Sequence, residues 1–375
     1  MILERLLAPM GLETFFAEHH DRAPFHLKGV SDFRDWLSFD ALDRIIATQG
    51  LRHPQFRLAR DSQIVPPGQY AIPSLSWGHG SVRDFAKPDS VFKLMADGIT
   101  IVMDDCELLH PPLAEVSRQL QLELVANVPV HVFCTPAGTQ AFRPHFDIHN
   151  VFLVQFEGSK YWRIHEHAID RPLRTQPCDP NGCPAGELLF EGLVEAGDVL
   201  YIPRGTVHYA EARDEPSLHG SFSSTPFSWQ EVLRNALKNF DDPWLDQPVD
   251  VDWRGEIPLS DEDDEAFDEM LERFAESDGA ASAFDRLARV WLKRRLPLGA
   301  QLRDAEVRLD ATTQLRRRPG IVHRIEGSTV MFTRFEVDLG AHAPVVAAST
   351  PFAAGTLGVE LATELLNKGL LEVVS

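Results

Sequence analysis

Apolar residues recur at helical spacing near the start of the chain, at Leu12, Phe15 and Phe16. Arg22-Ala23-Pro24 ends that pattern, and Phe33 to Ile46 is read as another helical stretch. Residues 51–130 mix short strands and helices. Ala71 to Trp77 contains Pro73, so it can be only an edge strand or a loop. From about 128 to 225 the pattern changes to short strands: Val130–Phe133, Phe146–Phe156, Lys160–Ile164, Val199–Ile202 and His208–Ala212. Gly138, Gly158, Gly197 and Gly205 punctuate them. Short strands with glycine turns predict a barrel or sandwich. One long loop, Glu166 to Glu187, is rich in Pro, Asp and Gly, as functional loops often are.

After Pro226 the helical period returns. Phe227 to Phe240 carries Trp229, Val232, Leu233 and Leu237. Ser260 reads as an N-cap before the acidic turn Asp261–Glu265, which suits the helix dipole. Phe267, Met270, Leu271 and Phe274 then form a stripe fit for a core or a dimer face. Phe284 to Leu296 is a further helix, and its Arg286, Arg289, Lys293, Arg294 and Arg295 read as a solvated face. Thr329 to Val337 alternates as a strand would. Thr356 to Asn367 reads as a helix stopped at Lys368-Gly369, and Leu370 to Val374 as a closing strand. Helices followed by a small strand pair fit a winged-helix unit.

A chain of 375 residues is long enough for two or three domains. Its formal charge of −20 argues against a general nucleic-acid binder and favours a basic partner. Arg316-Arg317-Arg318 is a small basic patch, insufficient for DNA affinity. No apolar run spans a membrane and the N-terminus does not read as a signal peptide. The expectation is a cytoplasmic protein with reduced thiols. Cys178 and Cys183 flank Asp-Pro-Asn-Gly and are expected as two loop thiols, no second cysteine pair existing to complete a zinc site.

The candidate chemistry lies in Arg143-Pro144-His145-Phe146-Asp147-Ile148-His149-Asn150. On a strand, His145 and Asp147 share one face. His208 follows the hairpin Gly197-Asp198-Val199-Leu200-Tyr201-Ile202-Pro203-Arg204-Gly205 and can return to them. Two histidines and a carboxylate on one side of a metal leave three positions open, as non-haem Fe(II) oxygenases require. His19-His20-Asp21 repeats the short motif without those surroundings and is read as chance. Lys160 follows the turn Glu157-Gly158 and shares a face with Trp162 and Ile164. An inward lysine there needs an anionic partner, such as the distal carboxylate of a cosubstrate. Trp77, Phe133 and Trp162 are candidates to line the pocket. His149 and His219 are read as neighbours of the site rather than ligands.

These segments resemble the JmjC-type 2-oxoglutarate oxygenases with a cupin core, and most of all the ribosomal oxygenase subgroup. That subgroup includes the bacterial ribosomal-protein arginine hydroxylase and nucleolar histidine hydroxylases. The resemblance extends to Phe15-Phe16 and Arg22-Ala23-Pro24-Phe25-His26-Leu27, to Thr135-Pro136-Ala137-Gly138-Thr139-Gln140, and to Gln155-Phe156-Glu157-Gly158-Ser159-Lys160-Tyr161-Trp162-Arg163. It implies an α+β chain with a double-stranded β-helix (jelly-roll) core. A helical dimerisation region and a winged-helix-like C-terminal domain would follow, dividing the chain at 1–225, 226–305 and 306–375. His145, Asp147 and His208 match the Fe(II) ligands, Lys160 the residue pairing with 2-oxoglutarate, and Ser221 a polar residue supporting it. Phe133 stands where many relatives have tyrosine, and Asn150 where aspartate is usual.

The implied activity is a 2-oxoglutarate-dependent dioxygenase using Fe(II) and O2 as a protein hydroxylase. Its expected substrate is an arginine or histidine side chain of a basic ribosomal protein. A homodimer without membrane or direct DNA binding is expected. The alternatives are a hydroxylase of another peptide, a peptidyl-lysine demethylase and a non-catalytic cupin-like binding module.

Overall fold

The alternating residues from Asn150 onward build one strand of 18 residues, Asn150–His167. Its first half pairs with Val199–Ile202 on one side and Ser217–Ser224 on the other. Its second half pairs with Leu188–Glu195 and Thr206–Ala212. The strand thus belongs to two sheets, and it bends at Gly158, where φ is +65°. A Cβ at that position would lie 1.8 Å from the Pro216 carbonyl oxygen, so only glycine fits. The two strands expected on either side of a Glu157-Gly158 turn are therefore one. The pairing shifts register between Leu218 and His219, a bulge that bends the ladder without ending it.

The structure is a computed structural model. It describes all residues except 174, 180–181, 239, 247–260, 278, 294–303, 305–306, 349 and 375. The chain divides into two units, Met1–Pro226 and Phe227–Ser375. In the first, one sheet runs Phe25–Leu27, Val199–Ile202, Asn150–His167, Ser217–Ser224, Val130–Thr135, Thr100–Met103, Phe56–Arg60 and Gln63–Ile64. The other joins Leu188–Glu195, the second half of the long strand, Thr206–Ala212 and Thr139–Gln140. Together they make the jelly-roll. Ala71–Trp77 pairs with Gly80–Ala86 in a separate hairpin, and Pro73 falls where the ladder is interrupted. The side chain of Trp77 lies outside the described residues.

The N-terminal segment is bolted to the outside of the sheet. Phe15, Phe25, Phe152 and Tyr201 pack ring against ring. Asp198, buried in the hairpin turn, receives the Gly29 N–H at 2.7 Å and lies 2.8 Å from His26 Nε2. Asp21 accepts both Arg204 Nε and Nη2, at 2.7 and 2.8 Å. His19-His20-Asp21 is thus scaffolding for the hairpin. The expected 33–46 helix begins later, at Phe39–Thr48, because Ser38 caps it by accepting the Ala41 N–H. Leu42, Ile45 and Ile46 are its buried face.

In the second unit Val232 and Ala236 of helix Trp229–Leu237 pack on Ala283, with Phe274 and Leu287 against them. Met270 is buried, whereas Phe267 and Leu271 remain exposed. Ser260, Arg294, Arg295 and Leu296 lie outside the described residues, as do the side chains of Arg289 and Lys293. Thr329–Val337 is not one strand. It folds back at Thr333-Arg334 into a hairpin of Thr329–Phe332 and Phe335–Asp338. Arg316-Arg317-Arg318 is no surface patch, because each guanidinium is used internally. Arg316 pairs with Glu372, Arg317 donates to the Val346 and Ala347 carbonyls, and buried Arg318 pairs with Asp304.

Cys106 and Cys134 are free and buried. Cys178 and Cys183 are joined by a disulfide, contrary to the free thiols expected. The Gly182 N–H donates to Asp179 O, and the two cysteine Cα atoms lie 6.6 Å apart, within bridging range. No described helix is long and apolar enough to cross a membrane.

Gly205 has φ +84°, and a Cβ on it would lie 1.9 Å from the Ile169 carbonyl oxygen. Gly205→Ala is expected to cost more than about 1 kcal/mol. The check is the urea midpoint, which should fall; an unchanged midpoint would show that the turn relaxes freely.

Candidate metal centre and its cavity

His145 and Asp147 do not lie on a strand, as the i, i+2 reading supposed. The strand begins at Asn150, and His145 makes only an isolated bridge to His208. That bridge places the ligands. The His145 N–H donates to His208 O at 3.1 Å and the His208 N–H returns to His145 O at 2.8 Å. The Gly205 N–H then donates to Asp147 O at 2.8 Å, so the motif loop is fastened along the hairpin. Asn150 serves the same end, its Oδ1 accepting the Arg204 N–H at 3.0 Å. Pro144 O takes the N–H of Cys183.

One potential ligand atom from each of His145, Asp147 and His208 lies within 4.8 Å of the others. Each imidazole is oriented from behind. His145 Nδ1 lies 2.8 Å from Arg143 O, and His208 Nδ1 lies 3.0 Å from Thr206 O. A carbonyl only accepts, so each Nδ1 carries the proton and each Nε2 lone pair faces the cluster. Burial and the neighbouring His145 push His208 down to about 4, so it is neutral at pH 7. Burial alone would raise Asp147. The imidazoles of His149, His208 and His145 outweigh it and hold the carboxyl below its ordinary range. Two imidazole nitrogens and one carboxylate are a donor set for a borderline divalent metal, with an open side.

The open side is a cavity of about 370 Å³. Lys160 enters it just beyond the Gly158 bend, 4% exposed. Its Nζ donates to Thr135 Oγ1 at 3.0 Å, and among the described residues no carboxylate pairs with it. Burial lowers it to about 7. Such a lysine is poised to take an anion. Ser221, Phe133 and Trp162 also line the cavity. Buried His219 packs behind, stacked on Phe133 at 5.0 Å and edge-on to Trp162. His149 lines the wall without belonging to the ligand cluster.

Sequence reading missed a second polar group in this cavity: Arg57, Asp104 and His131. They come from three adjacent strand positions far apart in the chain, with no motif to connect them. Their only local signal is that His131, Phe133 and Thr135 alternate on one strand face.

Residues 108–232 match the JmjC domain model. Over 247 residues the chain is 28% identical to the Drosophila mojavensis bifunctional lysine-specific demethylase and histidyl-hydroxylase NO66, covering 63% of this chain and 26% of that protein. Over 270 residues it is 25% identical to Danio rerio ribosomal oxygenase 1, covering 69% and 46%. It therefore spans less than half the length of these curated relatives. The fold matches the crystal structure of Escherichia coli ribosomal oxygenase YcfD, with a TM-score of 0.61 and 17% identity over 97% of this chain and 98% of that one. Residues 108–232 thus resemble a JmjC domain, and the chain is similar in sequence to ribosomal oxygenases and shares the fold of one. A further YcfD structure, in complex with cobalt and 2-oxoglutarate, has a TM-score of 0.57 at 16% identity, covering 97% of this chain and 98% of that one. The JmjC match contains all three clustered side chains, Lys160 and Ser221.

Anaerobic titration with Co(II), followed by its visible absorption, should show stoichiometric binding. His208→Ala should weaken binding beyond the roughly 10–100-fold cost of losing an outer partner, whereas His149→Ala should retain the spectrum. Equal losses in the two variants would mean that the cluster is misassigned.

Proposed function

We propose that the protein is an Fe(II)- and 2-oxoglutarate-dependent dioxygenase that hydroxylates a side chain of a ribosomal protein, an arginine or a histidine. The observation that carries this reading is one cavity holding both a two-histidine, one-carboxylate cluster and a buried lysine with no anionic partner among the described residues. The relatives' names and the neighbour with cobalt and 2-oxoglutarate support it. We place the activity in 1–225, with 226–305 and 306–375 as helical and C-terminal parts. The acidic balance of the chain suits a basic target segment.

The residues present fit a divalent metal and a dicarboxylate cosubstrate. His145, Asp147 and His208 would hold the iron, with Arg143 O and Thr206 O fixing the two rings. A metal held there would supply the chemistry by which O2 oxidatively decarboxylates 2-oxoglutarate to succinate and CO2 and hydroxylates a substrate C–H bond, one oxygen atom entering each product. Lys160, steadied by Thr135, neutralises the distal carboxylate of the cosubstrate, and Ser221 offers a hydroxyl beside it. Phe133, Trp162, Val151, Leu153 and Ile202 give the cavity apolar walls that exclude water.

Anaerobic addition of Fe(II) and then 2-oxoglutarate should produce the visible charge-transfer band of the chelate. Lys160→Ala should weaken 2-oxoglutarate at least about tenfold, the loss of a charge-assisted hydrogen bond. Burial holds the free lysine near 7, below its ordinary 10.5, and a bound carboxylate favours the protonated form. Affinity should therefore be flat below pH 7 and fall about tenfold per unit above it. Absence of the band overturns the reading. With O2 and purified ribosomal proteins, one side chain should gain a single oxygen by mass spectrometry. Loss of methyl groups instead would make the enzyme a demethylase.

A further inference from the structure

The cavity carries a polar assembly that the metal and the cosubstrate do not use. Arg57 lies on the Phe56–Arg60 strand, Asp104 just beyond Thr100–Met103, and His131 on Val130–Thr135, three neighbours in one sheet. Arg57 Nε and Nη2 each donate to Asp104 at 2.9 Å, and His131 Nδ1 lies 3.1 Å from Asp104 Oδ1. All three line the cavity, and His131 sits directly across the ladder from Ser221.

This assembly has a defined polarity. Asp104 already faces a bidentate guanidinium and an imidazole, so its charge is compensated and little of its acceptor capacity is left. The other cavity carboxylate, Asp147, belongs to the metal cluster. Among the described lining residues no further carboxylate exists, whereas Arg57 and Lys160 are cations. A guanidinium has five donors and no acceptor. Entering here, it would find no free carboxylate among the described lining residues to accept from it. His131 is the opposite case. Its Nδ1 lies 3.1 Å from Asp104 Oδ1, and the ring lines the cavity, so it can offer an N–H there. Burial by itself would lower the His131 pKa, but Asp104, with Asp105 and Glu107 nearby, raises it and so favours the doubly protonated donor.

Resting on the hydroxylase reading, we propose that His131, held by Asp104 and Arg57, is a specificity-determining residue that donates to an acceptor on the substrate side chain. The cavity then selects an uncharged planar side chain bearing an acceptor, imidazole or carboxamide, over guanidinium. Overall acidity and cavity selection act at different ranges: the surface draws in a basic segment, while the cavity chooses a neutral residue within it.

The test uses the full-length protein with Fe(II), 2-oxoglutarate, O2 and purified ribosomal proteins, then synthetic copies of the modified segment carrying histidine, glutamine or arginine at the target position. The charge-transfer band is recorded alongside; its absence in the wild type overturns the hydroxylase reading itself. With the band present, oxidation at histidine, glutamine or asparagine is expected. His131→Phe should lower kcat/KM for the histidine or glutamine peptide by about tenfold or more, as loss of one donor in a closed site does. It should leave the band and 2-oxoglutarate affinity unchanged. His131→Gln should restore part of the rate by restoring a donor. Oxidation at arginine, no modified ribosomal protein despite the band, or equal losses for all peptides in His131→Phe would each overturn the proposal.

Discussion

Three backbone hydrogen bonds hold the centre of this protein together: the reciprocal pair between His145 and His208, and the one from Gly205 to the carbonyl of Asp147. The ligand cluster draws on a loop and a returning strand more than sixty residues apart. Their side chains meet only because their backbones are stitched at the same three positions. Every support around them serves that seam. Asn150 fixes the Arg204 amide, Asp21 holds the Arg204 guanidinium, and Asp198 ties the hairpin turn to the N-terminal segment. With each Nδ1–H donated to a backbone carbonyl, His145 and His208 turn their Nε2 atoms to the cluster, so binding a metal needs little reordering.

The electrostatics of the cavity follow from what each buried charge is given to face. Lys160 donates to a threonine hydroxyl, has no carboxylate partner among the described residues and is pushed toward neutrality by burial, a cost recovered when an anion arrives. Asp147 faces imidazoles and stays ionised. Arg57, Asp104 and His131 balance one another across three strands. Of these, Lys160 is the one for which no described residue supplies an opposite charge.

Much of the local structure was legible in the chain. Alternation marked the strands, Gly197-Asp198 and Pro203 to Gly205 marked the hairpin, and the His145, Asp147 and His208 pattern marked the chemistry. The errors share a cause. Gly158 was read as a turn, and Arg316 to Arg318 as a patch, because a sequence does not show what a backbone or a guanidinium packs against. The register shift at Leu218 and His219 turns the one into a bulge. Glu372, Asp304 and the carbonyls of Val346 and Ala347 turn the other into internal fastening. The pairing of Cys178 with Cys183 likewise depends on a Cα separation that spacing in the chain does not show.

By itself the sequence determined residue chemistry and short-range form: which segments alternate, where glycine must bend the chain, and which nitrogens and carboxylates exist to bind a metal. Those properties depend on neighbours within a few residues. The tertiary structure alone decided that His145 lies on a bridge rather than a strand, that Lys160 faces no carboxylate among the described residues, and that Arg57, Asp104 and His131 share the cavity. Strand order in a sheet joins residues without regard to their separation in the chain, so contacts of that kind leave no local pattern to read.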